Sequence, residues 1–189
     1  MAAPTDTKRR AVYADIERVP DTMVAEIVDG ELFASPRPRP RHAVAASVLG
    51  AQLNGPFQQG RGGPGGWWIL DEPELHFGED VLVPDIAGWR RERLPDMPDE
   101  AYFALAPDWI CEVLSPHNER HDRVRKLPVY ARVGVGHAWL VDPLERTVEV
   151  LRLDAGQWSA VRTYRNDEAL RAEPFTAVEI DLVSLWGGR

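Results

Sequence analysis

The stretches LVPDIAGW (residues 82–89) and DWICEVL (residues 108–114) each hold one acidic residue inside an apolar run that favours β structure. Such runs predict buried strands. Burial of an isolated carboxylate is so costly that the group normally becomes neutral, pairs with a cation or binds a metal ion. Asp85 and Glu112 therefore need a stabilising partner, and a divalent metal ion is the simplest one that serves both.

Size and composition predict one compact domain. A chain of 189 residues can bury a core without disulfides or a structural metal. The single cysteine, Cys111, excludes a disulfide framework and a cysteine-based zinc site, and it fits a reducing, cytoplasmic setting. The sequence shows no leader-like apolar segment and no run of about 18 apolar residues, so we expect neither export nor a membrane span. We expect a single domain over residues 1–189, with a flexible segment at residues 1–20.

The charge of the chain argues against a protein that coats nucleic acid through charge alone. The formal net charge is -8, and the isoelectric point is about 5.1. Three arginine clusters form either a local phosphate-binding groove or a solvated surface. They are Arg37, Arg39 and Arg41; Arg90, Arg91 and Arg93; and Arg120, Arg123 and Arg125. Of the 22 basic residues only Lys8 and Lys126 are lysine, which suggests that Lys126 serves a need for a compact ammonium group.

Hydrophobic patterning predicts an α/β fold with mostly β structure and two main helices. The prolines of PRPRPR (residues 36–41) predict a connector. GRGGPGG (residues 60–66) predicts a mobile linker, because the alternative phosphate loop requires a Gly-Lys-Ser/Thr sequence and a following helix. The predicted elements are a hairpin at 23–35 that turns at Asp29-Gly30, a helix at 42–53 ended by Gly55-Pro56, strands at 73–77, 81–89 and 108–114, a helix within 118–133 with a kink or boundary at Pro128, a meander of strands at 137–142, 147–153 and 157–164, and a last strand at 177–182.

Strand alternation places the two acidic residues on mostly apolar faces, Asp85 in its strand and Glu112 in the next. Pro84 cannot donate to a sheet ladder, so we expect a local break beside Asp85. Asp122 and Lys126 are four residues apart and share a helix face. Since no cysteine or convergent histidine set accompanies the carboxylates, Mg²⁺ or Mn²⁺ is favoured over Zn²⁺. A metal-activated water with Lys126 beside it suits phosphodiester hydrolysis.

Several motifs resemble the Uma-two (Uma2) family of restriction-endonuclease-like proteins, which is placed in the PD-(D/E)xK nuclease superfamily. They are VPDIA (83–87), EVLSP (112–116), DRxxKxxxYAxxGV (122–135) and AWLVDP (138–143), with EIVDGEL (26–32) and PRH (40–42) as the N-terminal signature. The resemblance implies a mixed β-sheet core flanked by helices, with an N-terminal hairpin and C-terminal strands. It also implies a metal-dependent DNA endonuclease that uses Mg²⁺ or Mn²⁺.

The resemblance assigns roles to particular residues. Asp85 is the aspartate of the superfamily motif and Glu112 its second acid, and both are the expected metal ligands. Leu114 stands where the superfamily has lysine, so the resemblance suggests that Lys126 has taken over the catalytic role from the helix. A structural ion pair with arginine is the alternative for the two acids.

Five further residues are candidates for supporting roles. Glu26 and His42 match the N-terminal signature and are expected to reach the site, while Glu74 is expected to add a carboxylate. For these three the alternative is an ordinary surface position. Asp122 accompanies Lys126 on its helix. Tyr130 follows Lys126 by one turn, and packing is the alternative role for it.

Other functions stay open on the sequence. His117 and His121 have the four-residue spacing of a zinc helix, but Glu119 does not directly follow the first histidine, as the zinc protease pattern requires. Leu114 and the acidic composition also allow a catalytically inactive nuclease-fold module for binding or assembly. The seven tryptophans and the C-terminal VSLWGGR (residues 183–189) either form part of the core or leave apolar surface for a homodimer.

Overall fold

The protein is represented by a computed structural model that describes residues 9–188. The strands are β1 (Met23–Val28), β2 (Glu31–Pro36), β3 (Trp67–Asp71), β4 (Leu75–Phe77), β5 (Asp80–Leu82), β6 (Ile86–Arg90), β7 (Trp109–Val113), β8 (His137–Asp142), β9 (Thr147–Asp154) and β10 (Gln157–Arg165). The helices are α1 (Tyr13–Ile16), α2 (Pro40–Leu53), α3 (Glu119–His121), α4 (Leu127–Arg132) and α5 (Leu182–Leu185). Two π-helical turns, Asn54–Gln58 and Asp122–Lys126, extend α2 and join α3 to α4. None of the helices in this part of the chain is both long and apolar enough to cross a membrane.

The strands form two sheets. The six-stranded sheet has the order β10-β9-β8-β7-β6-β3 and is mixed, because β7 and β8 run parallel while the other pairs are antiparallel. The four-stranded sheet has the order β2-β1-β5-β4 and is antiparallel. Its hairpin turns at Asp29 and Gly30, whose φ angles of 52° and 80° are those of a primed turn. The predicted α/β fold and N-terminal hairpin are confirmed.

The two faces of the six-stranded sheet have different partners. On the α2 face, Leu49 packs in one apolar cluster with Trp109 and Cys111. On the α4 face, helix α4 and the four-stranded sheet contribute to a second cluster that includes Tyr130. Because side chains alternate along β7, Glu112 points away from α2 and meets Tyr130 on the α4 face.

The continuous strand predicted at 81–89 is wrong. β5 and β6 belong to different sheets, and Val83, Pro84 and Asp85 connect them. Pro84 has no N–H for a sheet ladder, which explains the break that we expected beside Asp85. Asp85 therefore lies where the chain passes from one sheet to the other, and the strand alternation used for it does not apply.

Prolines set the limits of α2 differently from the prediction. The helix begins at Pro40, because proline is favoured in the first helical turn, where its missing N–H costs nothing. The connector between β2 and α2 is therefore only residues 37–39. Gly55-Pro56 does not end the helical segment, which continues as a π-helical turn to Gln58. The glycine run at 60–66 then leads into β3 and not into a helix, which rules out the phosphate loop.

A change of helical register separates α3 from α4. The Leu127 N–H donates to the carbonyl of Asp122, five residues earlier, as in a π-helix. Pro128 has no N–H to continue the α-helical ladder at the next position. The boundary expected at Pro128 lies one residue earlier, where α4 begins at Leu127, and the helical segment as a whole runs from Glu119 to Arg132.

The two ends of the chain also differ from expectation. The strand predicted at 177–182 is wrong, because Ile180 forms only an isolated bridge with Leu170 and α5 begins at Leu182. The expected flexible segment at 1–20 overlaps α1, whose Tyr13 hydroxyl donates to Glu74 at 2.9 Å. Residues 1–8 lie outside the described residues. The predicted meander is confirmed in β8, β9 and β10.

Much of the aromatic surface on which a homodimer was expected lies in the core. The buried tryptophans are Trp67, Trp89, Trp109 and Trp139. The homodimer stays a prediction.

Candidate active site

One cavity collects most of the residues that the sequence indicated. Asp85, Glu112 and Lys126 all line it. Their approach follows from the sheet register: Ile86 at the start of β6 pairs with Cys111 of β7, so Asp85 and Glu112 flank this pair. The remaining predicted members of the lining are Glu26, His42 and Asp122.

Lys126 is the hub of a buried ionic network. Its Nζ lies 2.9 Å from Glu26 Oε1, 2.9 Å from Glu112 Oε1 and 3.8 Å from Asp122 Oδ1. It also donates to the carbonyl of Val83 at 3.1 Å. The lysine side chain is only 4% exposed, so an unpaired ammonium group would be strongly unfavourable here.

Tyr130 and Glu112 form a second contact in this network. The Tyr130 hydroxyl donates to Glu112 Oε1 at 2.7 Å, and both side chains are buried. Tyr130 therefore packs in the core and also fixes the carboxylate. Packing was the alternative to a role in the site, and Tyr130 does both. A part in catalysis stays a prediction.

The N-terminal hairpin contributes to the same cavity. Glu26 Oε1 accepts from the Val83 N–H at 2.8 Å, and Glu26 Oε2 lies 3.2 Å from His121 Nε2. His42 reaches the cavity from α2, with its Nε2 3.2 Å from Asp85 Oδ1. The other oxygen of Asp85 accepts from the Val113 N–H at 2.6 Å. The surface alternative therefore fails for Glu26 and His42, which are both buried.

Glu74 is not part of this group. Its Oε1 accepts from the Tyr13 hydroxyl at 2.9 Å and lies 2.7 Å from His76 Nε2. The expected additional carboxylate is therefore engaged elsewhere, between α1 and β4.

His121 is a member of the site that no sequence pattern indicated. His121 and Lys126 are five residues apart, and both contact Glu26. Helical spacing of 3.6 residues does not align such a pair, whereas the intervening π-helical turn does. The only sequence signal was Pro128, whose missing N–H favours a register change in the preceding turn.

Charge compensation in the cavity is incomplete. Burial would lower the pKa of Lys126, but Glu112 and Glu26 outweigh it and hold that pKa well above its usual value. Burial raises the pKa of Glu112 well above its usual value, against the opposing effect of Lys126. Burial likewise raises the pKa of Asp122 to about 6. The site therefore holds an ammonium group that stays charged and more carboxylates than it can neutralise.

Glu26 and His42 are the better compensated groups. Burial would raise the pKa of Glu26, but Lys126, His121 and the Val83 N–H lower it to about 2. Burial would lower the pKa of His42, but the hydrogen bond and charge of Asp85 raise it overall. Three ring nitrogens in the described part of the chain are buried without a hydrogen-bond partner: His42 Nδ1 and His121 Nδ1 in the site, and Trp109 Nε1 in the apolar cluster of the α2 face.

The donor chemistry fits a hard divalent cation. Carboxylate oxygens are the ligands that Mg²⁺ prefers, and Asp85 and Glu112 are the residues that would hold it. Within residues 9–188, no group of three or more histidine, cysteine, aspartate or glutamate side chains is arranged to hold a metal ion. A site with only two protein carboxylates is compatible with Mg²⁺, which usually keeps several waters and takes only one or two protein carboxylates.

The alternative zinc pair is not formed. His117 Nε2 lies 3.4 Å from Arg39 Nη2, whereas His121 Nε2 faces Glu26. The two histidines therefore have different partners, one at the mouth of the cavity and one on its wall.

Comparison with protein families decides how the chain is classified. Residues 11–183 match the Uma2 family model, described as "Putative restriction endonuclease". The chain belongs to the Uma2 family. The family resemblance inferred from the motifs is thereby confirmed. Comparison with curated proteins gives no match.

A solved structure shows that the fold of this Uma2 protein is shared. The crystal structure of a "putative nuclease belonging to DUF820 from Anabaena variabilis ATCC 29413" matches with a TM-score of 0.75 and 23% sequence identity. The match covers 94% of this chain and 98% of the other.

One departure of this Uma2 protein from the superfamily pattern has a structural explanation. Leu114 is 3% exposed and lies in the apolar cluster of the α4 face. The ammonium group beside Glu112 comes instead from Lys126, at 2.9 Å. The geometry thus brings a lysine to the second acid by another route, and its catalytic role stays a prediction.

Proposed function

We propose that this Uma2 protein is a metal-dependent endonuclease that hydrolyses phosphodiester bonds of DNA. The observation that carries the proposal is the convergence of Asp85, Glu112 and Lys126 in one cavity that holds more carboxylates than cations. Asp85 and Glu112 would hold Mg²⁺ or Mn²⁺. When bound, such an ion lowers the pKa of a water and neutralises charge on phosphoryl oxygens.

The dimensions of the cavity favour phosphodiester chemistry over chemistry on a base. Its volume of about 90 Å³ has room for several water molecules. Pockets that enclose whole ligands typically measure about 300–1,000 Å³. A nucleobase therefore stays outside, and the reacting phosphate approaches the carboxylates through the mouth.

The chain's own residues then act mainly by position and charge. Lys126 stays protonated, because its raised pKa lies far above neutral pH, and it therefore acts as a fixed positive charge and not as a general base. A fixed charge of this kind stabilises negative charge that develops on the phosphate in the transition state. Tyr130 holds Glu112, and Glu26 holds Lys126, so these two residues position the acting groups.

The test is cleavage of supercoiled plasmid and of single-stranded DNA with Mg²⁺ or Mn²⁺. We expect Asp85→Ala and Glu112→Ala to reduce the rate at least 100-fold, which is on the order of a lost metal site or lost charge stabilisation. Glu74→Ala is the matched control, because Glu74 is a carboxylate outside the site, and it should keep full activity. Full activity in both site variants would refute the proposal.

A second candidate is a catalytically inactive nuclease-fold module for binding or assembly. It is favoured by the contacts of Lys126, whose ammonium group already meets Glu26, Glu112 and the Val83 carbonyl. This candidate predicts DNA or protein binding without cleavage in any divalent metal. Metal-dependent cleavage that is lost in Asp85→Ala would reject it.

A further inference from the structure

The mouth of the acidic cavity carries an arginine that has no acidic partner among the described residues. In the segment PRPRPR (residues 36–41), Arg37 and Arg39 line the cavity, whereas Arg41 does not. Arg37 is held by Glu72 at 3.3 Å and by the carbonyl of Asp21 at 3.2 Å. Arg39 forms no ion pair with any residue in the range 9–188, and its side-chain contact is to His117.

His117 approaches Arg39 from the opposite side of the mouth. Arg39 precedes α2, and His117 lies in the loop between β7 and α3, so the two side chains belong to different walls of the cavity. Arg39 Nη2 and His117 Nε2 are 3.4 Å apart, and both residues are exposed. Because a guanidinium can only donate, His117 Nε2 accepts in this contact, and the ring carries its own N–H on Nδ1, at the opening above the carboxylates.

The backbone holds Arg39 in place. Pro38 and Pro40 flank it, and its φ of -71° and ψ of 158° are the extended values that a residue before proline adopts. Its side chain makes no helix-capping hydrogen bond. The side chain is therefore available for a ligand, while the backbone position costs little further ordering on binding.

We propose that Arg39 and His117 form a phosphate clamp that binds a phosphodiester of the nucleic-acid strand next to the one that reacts. This inference rests on the proposed nuclease function and names how the same site holds its substrate. The planar guanidinium binds phosphate oxygens in a bidentate manner, and the histidine ring adds a donor from the other wall. The clamp offsets the repulsion between the strand and the carboxylates Glu26, Asp85, Glu112 and Asp122 below it.

The experiment compares Arg39→Gln with Arg41→Gln. Both arginines are exposed and lie two residues apart, but only Arg39 lines the cavity. Exposed substitutions of this kind leave stability nearly unchanged, which circular dichroism on heating verifies. Binding is measured by fluorescence anisotropy with labelled single-stranded and double-stranded oligonucleotides in EDTA, over a series of salt concentrations.

We expect Arg39→Gln to weaken binding about tenfold and to reduce the slope of log K against log[salt] by about 1, as for the loss of one phosphate contact. His117→Gln should weaken binding by a smaller factor, and Arg41→Gln should match the wild type. In cleavage with Mn²⁺, Arg39→Gln should raise KM about tenfold and change kcat less than twofold.

Each outcome separates the clamp from the nuclease function. Equal binding and equal KM in Arg39→Gln and Arg41→Gln would overturn the clamp and leave the nuclease function intact. If the wild-type protein cleaves no DNA but binds it, and if binding is lost in Arg39→Gln but not in Arg41→Gln, the clamp is supported and the nuclease function is rejected. A wild-type protein that binds no oligonucleotide would overturn the clamp.

Discussion

Strand β7 contributes side chains to both faces of the six-stranded sheet, and the two faces differ in the kind of side chain that they bury. Toward α2, Trp109 and Cys111 enter a cluster of apolar side chains. Toward α4, Glu112 enters an ionic network with Lys126 and Tyr130. Burial of charges is repaid only by good geometry, and well-packed apolar groups in their place are often equally or more stable. Apolar clusters stabilise both faces, whereas the α4 face also buries an ionic network, whose presence we attribute to the proposed function.

The largest effect is expected from removal of the central cation of the α4 face. Lys126→Met leaves Glu26 and Glu112 buried without their partner, and we expect a loss of about 3–5 kcal/mol in the free energy of unfolding. Urea denaturation of the metal-free protein measures it. Arg125→Met is the control, because that neighbouring cation is 41% exposed and binds Glu31 at the surface; it should cost less than about 1 kcal/mol. Equal losses in the two variants would contradict the buried network.

A substitution on the α2 face should separate stability from activity. Leu170 is fully buried in the apolar cluster of that face and does not line the cavity. We expect Leu170→Ala to cost about 3 kcal/mol through lost burial and a residual void. Its kcat/KM at 20 °C should stay within twofold of the wild type. A loss of activity that accompanies full folding would show that the two faces are coupled.

These two variants also mark what the sequence could predict. Apolar alternation predicted Trp109, Cys111 and their strand, and it placed Glu112 on the opposite face. The motif spacing brought Lys126 to the same site. The run 81–89 is mostly apolar and therefore predicts one strand that includes Asp85, whereas the three-dimensional path shows that Asp85 lies where the chain passes between two sheets.

The rest of the site depends on features that no local pattern records. His121 joins the site through a π-helical turn, which departs from the α-helical residue spacing expected within 118–133. Arg39 and His117 meet across the mouth although they are 78 residues apart. Glu74 is a carboxylate that precedes Asp85 in the chain, as an additional site acid could, but its side chain contacts Tyr13 of the short helix α1. Long-range contacts of this kind follow from the tertiary fold and not from periodicity.

A smaller effect, of opposite sign, is expected at Asp122. Burial raises its pKa to about 6 from 3.8, so its ionised form disfavours the folded state. We expect Asp122→Asn to stabilise the metal-free protein at pH 8 by about 2 kcal/mol, from about 1.4 kcal/mol per pKa unit with allowance for relaxation. Glu119→Gln, at an exposed carboxylate three residues earlier, should change stability by less than about 0.5 kcal/mol. Destabilisation by Asp122→Asn would show that the carboxylate is a structural ion-pair member.

The pH dependence gives the same test a second readout. The folded protein holds the Asp122 proton more tightly than the unfolded chain does, so this group lowers stability as pH rises from about 4 to about 6. Glu26, with a pKa of about 2, has the opposite sign and acts below pH 4.5. Between pH 4.5 and 6, Asp122→Asn should therefore flatten the decline of the unfolding free energy with pH.

The smallest effect is expected at Tyr130. Tyr130→Phe removes one hydrogen bond to Glu112 and should cost about 1 kcal/mol of stability. Tyr164→Phe is matched, since its hydroxyl donates to the carbonyl of Arg171 at 2.9 Å on the other side of the molecule. The two variants should lose similar stability, but only Tyr130→Phe should lower kcat. Equal kcat values would assign Tyr130 to packing alone.

The most direct test of the central claim, that the α4 face is retained for a metal ion, is calorimetric titration with Mn²⁺. Wild-type protein and Glu74→Gln should bind one Mn²⁺ with the same affinity, because Glu74 lies outside the site. The Mn²⁺ affinity of Glu112→Gln and of Asp85→Asn should be at least tenfold lower. Unchanged Mn²⁺ affinity in these two variants, or no Mn²⁺ binding by the wild-type protein, would contradict the account.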